Sequence, residues 1–169
     1  HVRHKPRILI GADTRISCAM LESALVAGIC SAGADAVVCG VIPTPGVAYL
    51  TKLGAFDAGA VISASHNSFE FNGIKFFDRN GYKLPDSVED EIESYITGTR
   101  PDDKPRLSGH EIGQRLNYPN AADCYREHLL KSSDVDLRGL KIAIDCANGA
   151  SSGIAPDLFR ASGGTVVTI

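Results

Sequence analysis

Short apolar segments that alternate with helical patterns constrain the fold of this chain more than any other feature. The segments 7–11 and 36–40 are largely apolar, as in strands of a sheet that is covered on both faces. Between them, Leu21, Leu25 and Ile29 recur at helical spacing. This strand–helix–strand order predicts a right-handed βαβ crossover, and therefore an α/β fold with a mainly parallel sheet.

The ends of several elements carry residues that favour such ends. Ser17 is the predicted N-cap of the first helix, and Gly33 is the predicted stop after it. Asn80–Gly81 predicts a hairpin turn, after which residues 82–84 run back. The other predicted elements are helices over 47–53, 86–96 and 120–131, a short edge strand within 111–116 and a surface loop over 97–108.

A polar linker divides the chain into two predicted units. After the linker, 132–138, a new strand at 140–145 and a turn of small residues at 146–150 begin a second βαβ pattern. We therefore predict one complete three-layer αβα domain over 1–132 and the start of a second, similar one over 133–169. Because the chain begins without methionine and stops within a predicted strand, we expect it to be a piece of a longer protein.

The reactive side chains of the first unit surround one loop. An apolar run, 60–62, leads into the small and polar residues 63–67, and a second strand then returns beside the first. This arrangement is expected to hold a hydroxyl, Ser65, an imidazole, His66, and an amine, Lys75, near one another. Such a set suits covalent transfer chemistry, because a serine hydroxyl is a weak nucleophile without a base or an electrostatic partner.

Plainer interpretations of the same residues remain open. A Ser–His pair in a loop often bonds only to nearby backbone, and a lysine in an apolar strand often extends to solvent. Asp13 and Arg15 either brace this loop or merely hold their own turn, and we favour the second interpretation. Thr44 either contacts a ligand or caps a helix. Asn148 lies where open α/β sheets bind ligands, but we favour a role as the cap of a strand-to-helix turn.

The order of residues in the loop resembles that of a known family. Residues 62–67, Ile-Ser-Ala-Ser-His-Asn, together with 73–77, Gly-Ile-Lys-Phe-Phe, resemble the phosphoserine loop of the phosphohexomutases, and most of all the bacterial phosphoglucosamine mutase branch. Ser68 stands where that family often has proline, a departure that removes no reactive group. Residues 11–15 and 145–150 are similar to the opening elements of the family's first and second domains.

The resemblance implies a phosphoryl transfer. Ser65 would carry a phosphate, His66 would orient the phosphoryl group or the sugar hydroxyl, and Lys75 would stabilise the transferring group or accept a proton. Mg²⁺ would bind a phosphoryl oxygen on Ser65 and three aspartates of a second-domain loop that lies beyond residue 169. The net reaction would interconvert glucosamine 6-phosphate and glucosamine 1-phosphate through a bisphosphate. This chain alone, truncated before the metal loop, is expected to be inactive.

Other functions compete with this one. The same chemistry on another hexose phosphate would make the protein a phosphomannomutase or phosphoglucomutase. A non-catalytic module that binds sugar phosphates or phosphopeptides would use Ser65 only as a loop residue. A serine hydrolase is disfavoured, because neither an acidic third partner nor an oxyanion loop is evident.

Net charge and cysteine content limit the expected partners and cellular location of the protein. A formal net charge of −3 offers no basic patch, so nucleic acid is an unexpected partner. No apolar run approaches the roughly 20 residues of a membrane span, and no signal-peptide pattern opens the chain. Five widely spaced cysteines, without the close spacing of a zinc site, suggest a reducing, cytoplasmic setting. The oligomeric state is not predicted.

Overall fold

The structure is a computed structural model that describes residues 4–101 and 107–169. The strands within these residues are β1 (Arg7–Ala12), β2 (Asp35–Val41), β3 (Ala58–Ile62), β4 (Ile74–Asp78), β5 (Arg115–Asn117), β6 (Lys141–Ile144) and β7 (Thr165–Thr168). The helices are α1 (Cys18–Ser31), α2 (Thr44–Leu53), α3 (Asp86–Ile96), α4 (Ala121–Lys131), α5 (Ala155–Ala161) and a short 3₁₀ turn at Gly109–Glu111. Part of the predicted surface loop, residues 102–106, lies outside the described residues.

Five strands form one mixed sheet in the order β4-β3-β1-β2-β5. The central strand β1 pairs in parallel with β2 and β3, so that Ile8 lies between Ala36 and Ala58. Only β4 is antiparallel, through its pairing with β3. The βαβ crossover and the mixed, mainly parallel sheet are confirmed, and the short strand β5 lies at the edge, as predicted.

The sheet is covered on both faces, which confirms the three-layer αβα arrangement. On one face, α2 packs over β1 and β3 and α4 packs over β2, with Leu9, Leu50 and Tyr125 in one core cluster. On the other face, α1 covers Ile10 and Ile62 in a second cluster. Within the described part of the chain, no helix has the length and apolar character needed to cross a membrane.

One of the predicted element ends needs correction. Gly33 follows α1 with a φ of +86°, as a helix stop requires. Ser17, however, has a helical backbone and its side chain makes no capping bond. Its hydroxyl instead accepts a hydrogen bond from the Asn72 side chain at 2.9 Å. The segment 82–84 runs back beside β4, as predicted, and forms a single antiparallel bridge from Lys83 to Phe77.

The hairpin turn is held by a side chain together with backbone pairing, in which the N–H of Asp78 donates to the carbonyl oxygen of Tyr82 at 2.8 Å. The Asp78 Oδ1 atom accepts hydrogen bonds from the N–H groups of Asn80, at 2.8 Å, and Tyr82, at 3.0 Å. Gly81 has a φ of +82°, which L side chains rarely adopt. Side-chain and backbone bonds therefore hold the turn together.

The second unit begins with a parallel pair, β6 and β7, in which Ile142 lies opposite Val166. Ile154, just before α5, is 4% exposed and belongs to the same core cluster as Leu9 and Tyr125. The described start of the second unit is therefore packed against the first. The domain boundary at 132/133 stays a prediction.

Candidate active site

The loop between β3 and β4 is closed at its base and tightly turned at its tip. At the base, the N–H of Ser63 donates to the carbonyl oxygen of Gly73 at 2.9 Å. At the tip, the N–H of Asn67 donates to the carbonyl of Ala64 at 3.1 Å, which defines a turn with Ser65 in its second position. Ser65 has a φ of +58°, a left-handed conformation that is costly for a residue with a Cβ atom. The turn thus presents an exposed hydroxyl on a backbone that its surroundings hold under strain.

Two of the three predicted catalytic residues lie together. Ser65 Oγ and His66 Nδ1 are 3.5 Å apart, at the outer limit of a hydrogen bond, and both side chains are exposed. Lys75 lies on β4 opposite Val61 and is also exposed, outside the set of residues that line the cleft described below. The catalytic roles of the three residues stay predictions.

A single guanidinium lies beneath this loop. Arg15 Nη1 donates to the carbonyl oxygens of Ser68, at 2.6 Å, and Phe71, at 2.8 Å. Arg15 Nη2 donates to the carbonyl oxygens of Ser65, at 3.0 Å, and Asn67, at 2.7 Å. The side chain is only 10% exposed. The interpretation we favoured from the sequence, in which Arg15 only holds its own turn, is therefore wrong: the residue holds the serine loop.

Asp13 holds that guanidinium in place. Its Oδ2 atom accepts from Arg15 Nε at 2.9 Å, and its Oδ1 atom accepts from the Arg15 N–H at 3.0 Å and from the Cys18 thiol at 3.0 Å. Burial alone would raise the pKa of Asp13. The hydrogen bonds from Cys18, from Arg15 and from Ser63 outweigh burial and hold that pKa below its ordinary value.

Low pH should weaken the stabilising contact between Asp13 and Arg15. Because the folded-state pKa of Asp13 is lowered, its contribution to stability is present above the unfolded value of 3.8 and is lost as the pH falls through the folded value. In urea unfolding, Asp13→Asn is expected to cost about 1 to 3 kcal/mol at pH 7. The difference from the unmodified chain should shrink below about pH 4. Asp90→Asn, at an exposed position on α3, is the matched control. A pH-independent difference would contradict this account.

The far end of the loop is also attached to α1. The Asn72 Nδ2 atom lies 2.9 Å from Ser17 Oγ and 3.3 Å from Cys18 Sγ, while its Oδ1 accepts from the N–H of Gly73. An asparagine in a turn usually bonds to its own backbone, so nothing local indicated the contact with a helix fifty-odd residues earlier.

The loop faces a cleft of about 800 Å³, and the opposite wall is the turn that follows β6. Thr14 links the two walls, since its hydroxyl donates to the carbonyl oxygen of Asn148 at 2.6 Å. Ala147 and Asn148 both have positive φ, and the Asp145 carboxylate accepts from the N–H of Ala147 at 2.8 Å. The residues of both walls that line the cleft include Thr44, Ser63, Ser65, His66, Phe69 and Ala150.

Two capping roles expected from the sequence are not observed. Helix α5 begins at Ala155 after Ile154, so Asn148 does not cap it. Helix α2 begins at Thr44 itself after Pro43, and no side chain caps it. Thr44 instead lines the cleft, in keeping with the ligand-contact alternative.

The part of the chain that the structure describes offers no metal site of its own. Among the residues that the structure describes, no three His, Cys, Asp or Glu side chains are grouped to hold a metal ion. The carboxylate that lines the cleft, Asp13, already has both oxygens in hydrogen bonds to Arg15 and Cys18. A phosphorylated Ser65 would therefore offer a lone ligand to Mg²⁺.

Among the cysteines, Cys39 is held as a neutral thiol. The five cysteines are free. Burial raises the pKa of the Cys39 thiol to about 12, and its Sγ donates to the carbonyl oxygen of Ile10 at 3.1 Å. Cys39 therefore stays protonated near neutral pH and serves as a small apolar residue within the sheet.

Two relatives that are similar over nearly the whole chain are phosphoglucosamine mutases. The phosphoglucosamine mutase of Clostridium novyi (strain NT) is 54% identical over 166 residues, which is 98% of this chain and 37% of that protein. The phosphoglucosamine mutase of Thermoanaerobacter sp. (strain X514) is 53% identical over 167 residues, 99% of this chain and again 37% of the relative. The chain thus spans a little over a third of the length of these relatives.

Two solved structures share the fold of this chain. A phosphoglucomutase/phosphomannomutase family protein from Burkholderia thailandensis superposes with a TM-score of 0.75 at 27% identity, over 97% of this chain and 35% of that one. A putative phosphomannomutase from Thermus thermophilus shares the fold, with a TM-score of 0.77 at 23% identity over 99% of this chain and 38% of that one.

The first part of the chain also matches the sequence model of a known domain. The sequence model described as phosphoglucomutase/phosphomannomutase, alpha/beta/alpha domain I, matches residues 1–102, the part of the chain that carries the serine loop and the Asp13–Arg15 turn. The fold, the loop and this match agree with the resemblance found in the residues. The chain belongs to the phosphoglucomutase/phosphomannomutase family.

Proposed function

We propose that this chain is the phosphoserine-bearing part of a phosphoglucosamine mutase, which interconverts glucosamine 6-phosphate and glucosamine 1-phosphate. The observation that carries the proposal is the exposed hydroxyl of Ser65, held on a left-handed backbone at the edge of the cleft. The name shared by relatives at 53–54% identity supports the hexosamine as substrate.

The reaction begins with Ser65 phosphorylated. The bond between phosphorus and Ser65 Oγ breaks while a bond forms from phosphorus to the free hydroxyl of the hexosamine monophosphate. The proton of that hydroxyl passes to a base and finally to Ser65 Oγ, so the products are a serine and a sugar bisphosphate. After the bisphosphate has turned over in the cleft, its other phosphate returns to Ser65 by the reverse steps. Catalysis rests on positioning and charge stabilisation.

His66 and Lys75 would assist the phosphoryl transfer at Ser65 in different ways. His66, with Nδ1 3.5 Å from the hydroxyl, would orient the phosphoryl group or the sugar hydroxyl. Lys75, on the strand that returns from the loop, would approach the transferring group with its flexible amine when substrate is present. A compact ammonium is well suited to a phosphoryl group that carries close to two negative charges.

Mg²⁺ is proposed as the cofactor, with a phosphoryl oxygen on Ser65 as the ligand that this chain supplies and the other ligands from elsewhere in the full-length protein. When bound, it would neutralise negative charge on the transferring group. The site described here does not complete a metal shell, and the 169-residue chain alone should accordingly show no turnover. Because sugar phosphates are water-soluble metabolites and the cysteines are free, we propose a cytoplasmic setting.

The proposal predicts a phosphate that moves. In the full-length protein, intact mass spectrometry should find a single phosphate that maps to Ser65. Addition of glucosamine 6-phosphate should chase that phosphate onto sugar, with glucosamine 1-phosphate as the product. Parallel assays with mannose and glucose phosphates test the phosphomannomutase and phosphoglucomutase alternatives. A protein that binds sugar phosphate but never exchanges phosphate with it would instead be the non-catalytic module.

A further inference from the structure

All five N–H donors of the Arg15 guanidinium are in use. Nε donates to Asp13, the two Nη1 donors reach the carbonyl oxygens of Ser68 and Phe71, and the two Nη2 donors reach those of Ser65 and Asn67. An arginine has five such donors and no more. This cation therefore has no donor left for a phosphate, although it lies directly behind the serine that we propose to be phosphorylated.

The backbone geometry indicates the role of the Arg15 guanidinium. The chain has no cis peptide bond among its described residues, and in a trans peptide the carbonyl of one residue points opposite to the N–H of the next. Since the carbonyl groups of Ser65 and Ser68 point at Arg15, the N–H groups of His66 and Phe69 point away from it. Neither N–H donates to a protein group in the part of the chain that the structure describes.

These two N–H groups belong to residues that line the cleft. Unpaired amide donors beside a loop that would carry a phosphate are a typical cradle for phosphoryl oxygens. We propose that Arg15 is a positioning residue for the transfer at Ser65: by gathering the loop carbonyls beneath the turn, it presents the His66 and Phe69 amides to the phosphoryl group. This inference rests on the proposed function, and it adds donors that the side chains of the loop do not supply.

The shape of the side chain matters as much as its charge. A planar guanidinium serves carbonyl groups that approach from several directions in its own plane, whereas a lysine ammonium has three donors on one atom. Arg15→Lys would keep the pairing with Asp13 but leave at least two loop carbonyl oxygens without a hydrogen-bond donor. The loop would then remain folded yet be free to rotate its peptide planes.

The test uses the full-length protein with Arg15→Lys and Arg15→Ala. We expect kcat to fall by about 10² to 10³, the usual effect of losing a preorganised donor to a transferring group, while KM for the sugar phosphate changes by less than about threefold, because uniform substrate binding is untouched. Added methylguanidinium should restore part of the kcat of Arg15→Ala. Arg79→Lys, the same change at an exposed arginine on the hairpin, is the matched control and should leave kcat unchanged.

A second measurement needs no variant. In the unmodified protein labelled with ¹⁵N at histidine and phenylalanine, phosphorylation of Ser65 should move the amide proton signals of His66 and Phe69 downfield, and removal of the phosphate should reverse the shift. The same shifts should be diminished in Arg15→Lys. This readout distinguishes a cradle from a residue that merely stabilises the fold.

The possible results distinguish failure of this inference from failure of the proposed function. An Arg15→Lys variant with unchanged kcat, or one whose melting temperature falls while the specific activity of the folded protein is retained, overturns the inference. Amide signals that do not respond to phosphorylation also overturn it. A wild-type protein with neither turnover nor phosphate on Ser65 refutes the proposed function, and this inference with it.

Discussion

Replacement of Ser65 by alanine is expected to reduce mutase turnover of the full-length protein by at least about a thousandfold, the scale seen when a covalent nucleophile is removed. The physical reason is that no other hydroxyl occupies the tip of the turn: Ser63 is 8% exposed, and its oxygen accepts from the N–H of Ser65 at 3.1 Å. Without the Ser65 oxygen, the phosphate has no covalent site between its two positions on the sugar.

Ser68→Ala is the matched control for this variant. It removes a hydroxyl from the same loop but keeps the backbone carbonyl that accepts from Arg15. Activity of Ser68→Ala should stay within a few-fold of the unmodified protein, and its Ser65 should still carry phosphate by mass spectrometry. Retention of normal turnover by Ser65→Ala would sink the proposed mechanism, whichever sugar is used.

Leu50→Ala is expected to be strongly destabilising. Leu50 is 0% exposed on α2, where it packs in the cluster that joins the helix to the sheet. Truncation removes buried apolar surface and leaves a cavity, which typically costs about 2 to 5 kcal/mol. Urea unfolding of the chain, followed by circular dichroism, measures this loss as a lower transition midpoint.

Leu53→Ala makes the same chemical change three residues later on the same helix. Leu53 is 54% exposed, so its truncation should cost less than about 1 kcal/mol. The pair therefore isolates burial from helix propensity, because both substitutions place alanine in α2. Equal losses for the two variants would mean that α2 is not packed as described.

Much of the frame was predictable because its signals are local. The apolar run before Ser63 and the periodic apolar positions of α1 are read within a few residues, and both predicted the right element type. The bounds of α3 were predicted to the residue, from a helical apolar spacing with carboxylates in its first turn. The reactive loop was located in the same way, since small polar residues interrupt two strands.

The contacts that organise the loop were not predictable from those signals. Arg15 reaches carbonyl groups that lie 50 to 56 residues along the chain, and backbone carbonyls carry no mark in the sequence. Ser17 looked like a helix cap because serine favours that role, yet its hydroxyl serves Asn72. Lys75 was expected beside Ser65 and His66, yet on the edge strand β4 it is exposed and outside the residues that line the cleft.

Residue spacing within single segments was enough to establish the alternation of strands and helices, the class of fold and the position of the serine loop, because each depends on how apolar and polar residues follow one another locally. The folded chain was needed to show that a buried arginine carries the backbone of that loop, and that Thr14 ties the opposite wall of the cleft to the same turn through Asn148. These contacts join segments far apart in the chain, and their strength depends on direction and distance, which a residue pattern does not encode.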